Sequence, residues 1–514
     1  MPTFVAPAGL TCHENGNATS VKTTRMDTRK VRNKTLNKEL KFKWHSIYGQ
    51  ILIERKLREA WQKVKDNCGA GGIDGETIKS FEKHEEEKLT DLLNKLRTKT
   101  YKPSPARRQY IPKKNGKLRP LGIPNIEDRI VQQAVVNVIS PKCEEHIFHK
   151  WSCGYRPNLG IQRVMQIILW NIETGYNHIY DCDIKGFFDN IPHKKLMKVL
   201  TKYIADGTVL DMIWSWLKAG YMEEGKYHTT DSGTPQGGVI SPILANLYLN
   251  ELDWVLEEHG IRFVRYADDF LLFAKTKEDI EKAAKVAKEK INELGLEVSI
   301  EKTRFVDFNK DDFKFVGFTF EHWRNRKKDG KPYFLVKPTE ANLKDFKQKI
   351  KDRTRKTLTL SHKKWLEQVN PLIRGKVNFF LNVYKAVKEN EKYGQKSSCF
   401  LNSYGKELQA IDAYTRQRLR VAMLHRHPSQ RKGHVMKTKW NNEFFARIGL
   451  VPAHWLYYSK QFGYTIEQYI QYITRKAKGK KAKEIQRAKE KGQEYYTPDR
   501  VRKMNYAWRI ASYT

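Results

Sequence analysis

The sequence is poor in cysteine, short of acid and without long apolar runs. Its six cysteines, Cys12, Cys68, Cys143, Cys153, Cys182 and Cys399, are scattered through 514 residues with no CxxC pair. That spacing excludes a disulfide framework and a zinc knuckle, and it fits a reduced cytosolic setting. No stretch approaches the roughly 18 consecutive apolar residues that a bilayer span needs. The N-terminus also lacks a basic segment leading into an apolar core, so neither a membrane partner nor a secretory signal is expected and a cytoplasmic location is. The shortage of acid has the opposite force: 58 Asp and Glu stand against 96 Lys and Arg, leaving a net charge of +38. Solubility does not require so much. A large anionic ligand does, and the 12% of Phe, Trp and Tyr adds rings able to stack on bases.

The scarce acids are not evenly spread. Tyr266-Ala267-Asp268-Asp269 sits between the apolar runs Ile261–Val264 and Phe270–Phe273, a pattern for strand, tight turn and strand. Adjacent carboxylates repel unless a cation or solvent screens them, which suggests a magnesium site. From these four residues alone, an ordinary solvated turn is the simpler account. A second cluster, His178-Ile179-Tyr180-Asp181-Cys182-Asp183-Ile184, reads as a buried strand leading through Lys185–Pro192 into a turn and helix. Two-metal phosphoryl transfer needs carboxylates from separate rigid elements converging on ions about 3.5–4 Å apart.

Three motifs occur in order: Asp183-Ile184-Lys185-Gly186-Phe187-Phe188-Asp189-Asn190-Ile191, Gly233-Thr234-Pro235-Gln236-Gly237-Gly238-Val239-Ile240-Ser241-Pro242, and Tyr266-Ala267-Asp268-Asp269. Together they resemble the palm of a group II intron reverse transcriptase/maturase. Segments 67–75, 119–124 and 154–157 are similar to that family's fingers, and the likeness runs over roughly residues 46–460. The resemblance implies an α+β right-hand polymerase that copies RNA into DNA. Asp183, Asp268 and Asp269 would be catalytic, with two Mg²⁺ ions, or Mn²⁺ in their place, held by Asp183, Asp268 and the carbonyl of Ile184. Arg119 and Gln236 would contact the incoming dNTP, with the backbone at Gly237 lying against the nascent base pair. Phe188 would exclude a 2′-hydroxyl, although a plain core phenylalanine explains it nearly as well. Lys302 would approach the leaving pyrophosphate or form a surface salt bridge. The implied partners are a structured intron RNA, a DNA primer or target, and dNTPs. A domesticated antiphage reverse transcriptase working with a dedicated noncoding RNA is the alternative. A counterpart of the Cys-rich endonuclease domain that many members of that family carry is not expected here.

Four regions are expected: a flexible basic leader (1–45), fingers and palm (46–335), a helical thumb (336–460) and a basic, Tyr-rich extension (461–514). Helical spacing runs over 46–66 and 83–96, with a Gly-rich finger turn between them at 69–75. Residues 101–119 are expected to form a hairpin that concentrates cations; Arg119 in it, and Arg129 beyond it, are the better candidates for phosphate contacts. Pro235-Gln236-Gly237 opens a helix, and Thr276 and Gly295 bracket another. In the thumb, Arg374, Arg416, Arg418 and Arg420 are expected to bind RNA. The extension reads first as additional RNA docking and next as a homo-oligomerisation element.

Overall fold

A computed structural model describes residues 43–112, 116, 118–234, 237–358, 360–401, 404–426 and 439–490. The leader lies outside them except for its last three residues. Of these, Trp44 is already part of the fold, pairing its amide with Tyr203 O at 2.8 Å while its carbonyl accepts from Ala205 N at 2.9 Å.

Helices Ile47–Ile51, Glu54–Asp66, Ile78–Lys83, Glu85–Arg97 and Ile126–His146 build the fingers. The helical spacing over 46–66 is interrupted at Leu52 and Ile53, and that over 83–96 begins a fresh helix at Glu85 after a break at His84. Leu89, Leu92, Leu93 and Leu96 are all buried, the i, i+3, i+4, i+7 face that pulls this helix onto the core.

Strands β1 (Ala106–Pro112) and β2 (Leu118–Ile123) form the basic hairpin. The palm contributes β3 (His178–Asp183), and β4 (Tyr221–Glu223) and β5 (Lys226–His228) extend the finger sheet to the order β2-β1-β4-β5. Strands β6 (Arg262–Tyr266), β7 (Asp269–Ala274) and β8 (Arg304–Asp307) complete the palm sheet, ordered β6-β7-β3-β8. Its sides are covered differently. Tyr180, Cys182, Phe270 and Leu272 face the larger core, whereas Ile179, Leu271 and Phe273 face a second core. Burial on both faces is why these strands read as near-continuous apolar runs.

Phe313–Phe320 folds as a hairpin of β9 (Phe313–Phe315) and β10 (Phe318–Asn325), turning through Val316 and Gly317, both at positive φ. Phe313 and Phe320 stack face to face across it, with centroids 4.4 Å apart. Strand β11 (Pro332–Pro338) joins them. The boundary expected at 335/336 therefore falls inside a strand, and the helical region starts at Glu340, capped by Thr339.

The thumb has its own core around Phe346, Trp365, Phe380, Tyr404 and Tyr457. It is not wholly separate, because helix Asn382–Lys392 packs on palm helix Ile161–Glu173, with Asn390 Nδ2 donating to Gln166 O at 3.1 Å. The expected break at 460/461 lies within helix Ala453–Phe462, and helix Ile466–Glu490 returns to pack on Asn442–Arg447. The tyrosines beyond 490 fall outside the described residues. No helix among the described residues is long and apolar enough to cross a membrane.

Candidate active site

Strand register brings the acids together. Asp183, the last residue of β3, lies directly opposite Asp269, the first residue of β7. Side chains alternate along a strand, so Asp183 projects to the same face as Ile179 and Asp181, and Asp269 to that same face. Asp268 occupies the turn between β6 and β7, after Ala267 at φ 61°. The strand, turn and strand thus form with Asp269 at the mouth of the second strand.

The three carboxyls feel one another. Partial desolvation, then the neighbouring charges of Asp268 and Asp183, push the Asp269 carboxyl up to about 7, although part of the residue is open to solvent. Asp268 is raised first by desolvation and then by Asp183, against the lowering pull of Lys302 and Arg119. Lys302 Nζ bridges both oxygens of Asp183 at 2.9 and 2.8 Å. The salt bridge foreseen for Lys302 is therefore made with the central acid of the site. Among the described residues, no three His, Cys, Asp or Glu side chains are gathered closely enough to hold a metal ion as they stand. The donor chemistry nevertheless fits a hard divalent cation: oxygen ligands only, mutually repelling, with one ammonium neutralising part of the charge.

The backbone beside Asp183 is fixed. Ser299 N donates to Asp183 O at 2.8 Å and Lys185 N to Glu297 O at 2.9 Å, a bridge that employs neither polar group of Ile184. Thr234 N donates to Phe188 O at 2.7 Å and Gly233 N to Ile191 O at 2.8 Å. Gly233 has φ 87°, and a Cβ there would stand 2.8 Å from Asp189 O. Phe188 is 6% exposed, packed edge-on to Phe187 and to the half-exposed Tyr155. It is a core residue, and the Tyr155 ring it touches belongs to a residue that feels the charge of Asp268.

From the fingers, Arg119 on β2 is exposed, and its charge reaches Asp268 and Tyr155. Gly237 at φ 120° backs onto β2, where a Cβ would come 2.5 Å from Gly122 O. The helix expected to open at 235–237 begins instead at Ser241, with Pro242 in its first turn, because the glycine segment is spent on that backbone approach. Gln236 lies outside the described residues.

Several expected phosphate contacts prove internal. Arg129 is buried, donating to Pro124 O at 2.8 Å and to Ala70 O, and Arg107 donates to Gly71 O at 2.7 Å. Both fasten the 69–75 turn. The Arg108 guanidinium lies 3.7 Å from the Tyr221 ring centroid. In the thumb, Arg418 Nη2 donates to Thr354 O at 3.2 Å and Arg420 Nε to Trp440 O at 2.8 Å. Burial lowers Arg420 to about 10. Arg416 is half-buried beside Asp412 and Tyr469. Of the four expected RNA-binding arginines, Arg374 is the exposed one.

Sequence reasoning missed the support beneath the acidic turn: Arg265, Asp253, Asn246 and Gly154. A signal was present, since a charged or amide side chain inside an apolar strand or buried helix face requires a partner.

A family model described as reverse transcriptase (RNA-dependent DNA polymerase) matches residues 111–320. The chain is 32% identical over 333 residues to the protein YkfC of Escherichia coli, covering 55% of this chain and 87% of YkfC. It is 39% identical over 222 residues to the group II intron-encoded protein LtrA of Lactococcus lactis, covering 43% of this chain and 36% of LtrA. It is also 34% identical over 213 residues to the putative COX1/OXI3 intron 2 protein of Saccharomyces cerevisiae, covering 40% of this chain and 24% of that protein.

Proposed function

We propose that this chain, which belongs to the group II intron reverse transcriptase/maturase family, copies a structured RNA into DNA by two-metal phosphoryl transfer, with Asp183 and Asp268 as the principal ligands. The observation that carries the reading is the register of Asp183 opposite Asp269, with Asp268 one residue before it at the turn.

Asp183, Asp268 and the Ile184 carbonyl would hold the ions, with Asp269 in support. Magnesium is the natural occupant of an all-oxygen site, and manganese can replace it. Bound there, a divalent ion neutralises phosphate charge and makes the primer hydroxyl a better nucleophile. Arg119 meets the triphosphate from the finger strand and Lys302 exchanges Asp183 for the leaving pyrophosphate. Phe188 fills the space beside the sugar, while Gly237 and Gln236 lie along the nascent pair. The leader, the finger face and Arg374 on the thumb contribute phosphate contacts to the intron RNA, which the protein binds during splicing and mobility.

Primer extension on an RNA template tests this reading. Asp183→Ala and Asp268→Ala should each abolish synthesis while leaving RNA affinity near wild type. Extension at the wild-type rate by Asp268→Ala would sink the assignment.

A further inference from the structure

Asp268 projects from a two-residue turn whose first position, Ala267, has φ 61°, while Asp268 itself is not left-handed. Turns of that kind favour glycine at the first position, because a Cβ there is strained. Something must hold Ala267 in place. A closed ring of buried groups does so. Arg265 Nη1 donates to Ala267 O at 2.9 Å and to Asn246 Oδ1 at 3.0 Å. Asn246 Nδ2 donates to Gly154 O at 2.8 Å. Gly154 returns to the start, because any Cβ on it would overlap Ala267 N. The other arm of the guanidinium is clamped by Asp253, with Nε to Oδ1 at 2.7 Å and Nη2 to Oδ2 at 2.5 Å.

Arg265 and Asp253 are among the most deeply buried charges described, their side chains 1% and 0% exposed. A buried ion pair is a poor source of stability, since desolvation offsets most of the attraction and apolar replacements often serve as well. What this pair provides is direction. A planar fork held on one side by a carboxylate can reach an amide and a backbone carbonyl together, whereas a lysine offers a single point of charge. The strand backbone is held too: Arg265 N donates to Trp151 O at 3.0 Å and Cys153 N to Arg265 O at 2.8 Å.

We infer that Arg265 is a positioning residue which, through Asp253, Asn246 and Gly154, holds the Ala267–Asp268 turn in the conformation that presents Asp268 to the metal. The inference rests on the proposed role of Asp268. The ring sets where the carboxylate stands, and its members Arg265, Asp253, Asn246 and Gly154 are all buried.

The test compares the full chain carrying Arg265→Met with Asp253→Leu, Arg265→Lys, Gly154→Ala, and Asp268→Asn as reference. The double variant removes both buried charges and retains apolar volume. Its affinity for a primed RNA template should stay near wild type, and its melting temperature should fall only modestly, through the donor that Ala267 O and Asn246 Oδ1 lose. The kcat should fall at least tenfold with little change in KM for dNTP, the Mg²⁺ midpoint should rise, and Mn²⁺ binding followed by electron paramagnetic resonance should weaken. Arg265→Lys should lie between. Should the double variant fail to fold, Gly154→Ala decides, because it leaves the ion pair intact yet pushes on Ala267 N, and the same losses are expected. Wild-type kcat and Mn²⁺ binding in either folded variant, with Asp268→Asn inactive, overturns the positioning role alone. Full synthesis by Asp268→Asn overturns the site reading and this inference with it.

Discussion

Lys302 Nζ sits 2.9 and 2.8 Å from the two oxygens of Asp183, so a lysine ammonium occupies the carboxylate proposed to bind a metal ion. The pair is formed by residues 119 positions apart, and its lysine is largely exposed. Such a pair contributes about 1 kcal/mol or less once solvent screens it. Lys302→Gln should therefore free Asp183 and lower the Mg²⁺ midpoint by up to about fivefold. If Lys302 also meets pyrophosphate, kcat should fall as the midpoint improves. Metal titrations of single-nucleotide incorporation check both, and a midpoint that rises would show that the ammonium aids metal binding.

Phe188 is packed in the core and is also the residue proposed to stand beside the sugar, so Phe188→Ala should have two effects. Losing a nearly buried ring should cost about 3–5 kcal/mol of stability. The vacated space should also admit ribonucleotides. Melting curves report the first, and the ratio of kcat/KM for dNTP over rNTP reports the second. Unchanged selectivity in a variant that still polymerises would leave Phe188 a core residue only.

The thumb arginines should separate by burial. Arg374→Glu should leave melting unchanged and weaken RNA binding, flattening the dependence of log K on log salt by roughly 0.7–0.9 for each phosphate no longer neutralised. Arg418→Glu and Arg420→Glu should instead destabilise the thumb, since the hydrogen bonds to Thr354 O and Trp440 O would be lost and a partly buried carboxylate would face those carbonyl oxygens. Circular dichroism melts beside RNA titrations distinguish the two classes. Equal loss of affinity without loss of stability in all three would return Arg418 and Arg420 to the RNA interface.

Asp412 gives the thumb a pH dependence. It accepts from Ala453 N at 2.6 Å and His454 N at 3.1 Å, and burial pushes its carboxyl up to about 6 despite Arg416. The folded chain therefore holds this proton more tightly than the unfolded one, whose carboxyl titrates near 3.9. Its contribution is fully present below about pH 4, declines as pH rises through about 6, and changes no further above that. The swing is of order 3 kcal/mol. Asp412→Asn should lose that slope, so its melting temperature should gain on wild type between pH 4.5 and 7. A constant difference across that range would place the titration elsewhere.

The acidic turn, its flanking strands and the Thr276-capped helix were legible in the sequence because each depends on near neighbours. Apolar alternation, turn chemistry and a capping hydroxyl are local properties. Thr276 Oγ1 accepts from Asp279 N at 3.1 Å, as its position before the apolar repeat implied. The start of the helix after Gly237 was not legible, since Gly237 is used in a close approach to Gly122 on another strand.

Charge by itself could not say where a charge would go. Arg129, Arg418 and Arg420 look in the sequence like any of the cations that make up the excess of +38, while the structure turns them toward carbonyls on other elements. Arg265 is read in sequence as one polar residue in an apolar strand, and only the packing of helix Ser241–Glu258 and the 151–157 segment against it makes it the support of Ala267. The sequence determined which acids stand at the turn and which strands carry them. The tertiary structure decided which cations face solvent and which hold that turn, because burial of a charge is set by elements that meet only when the chain has closed.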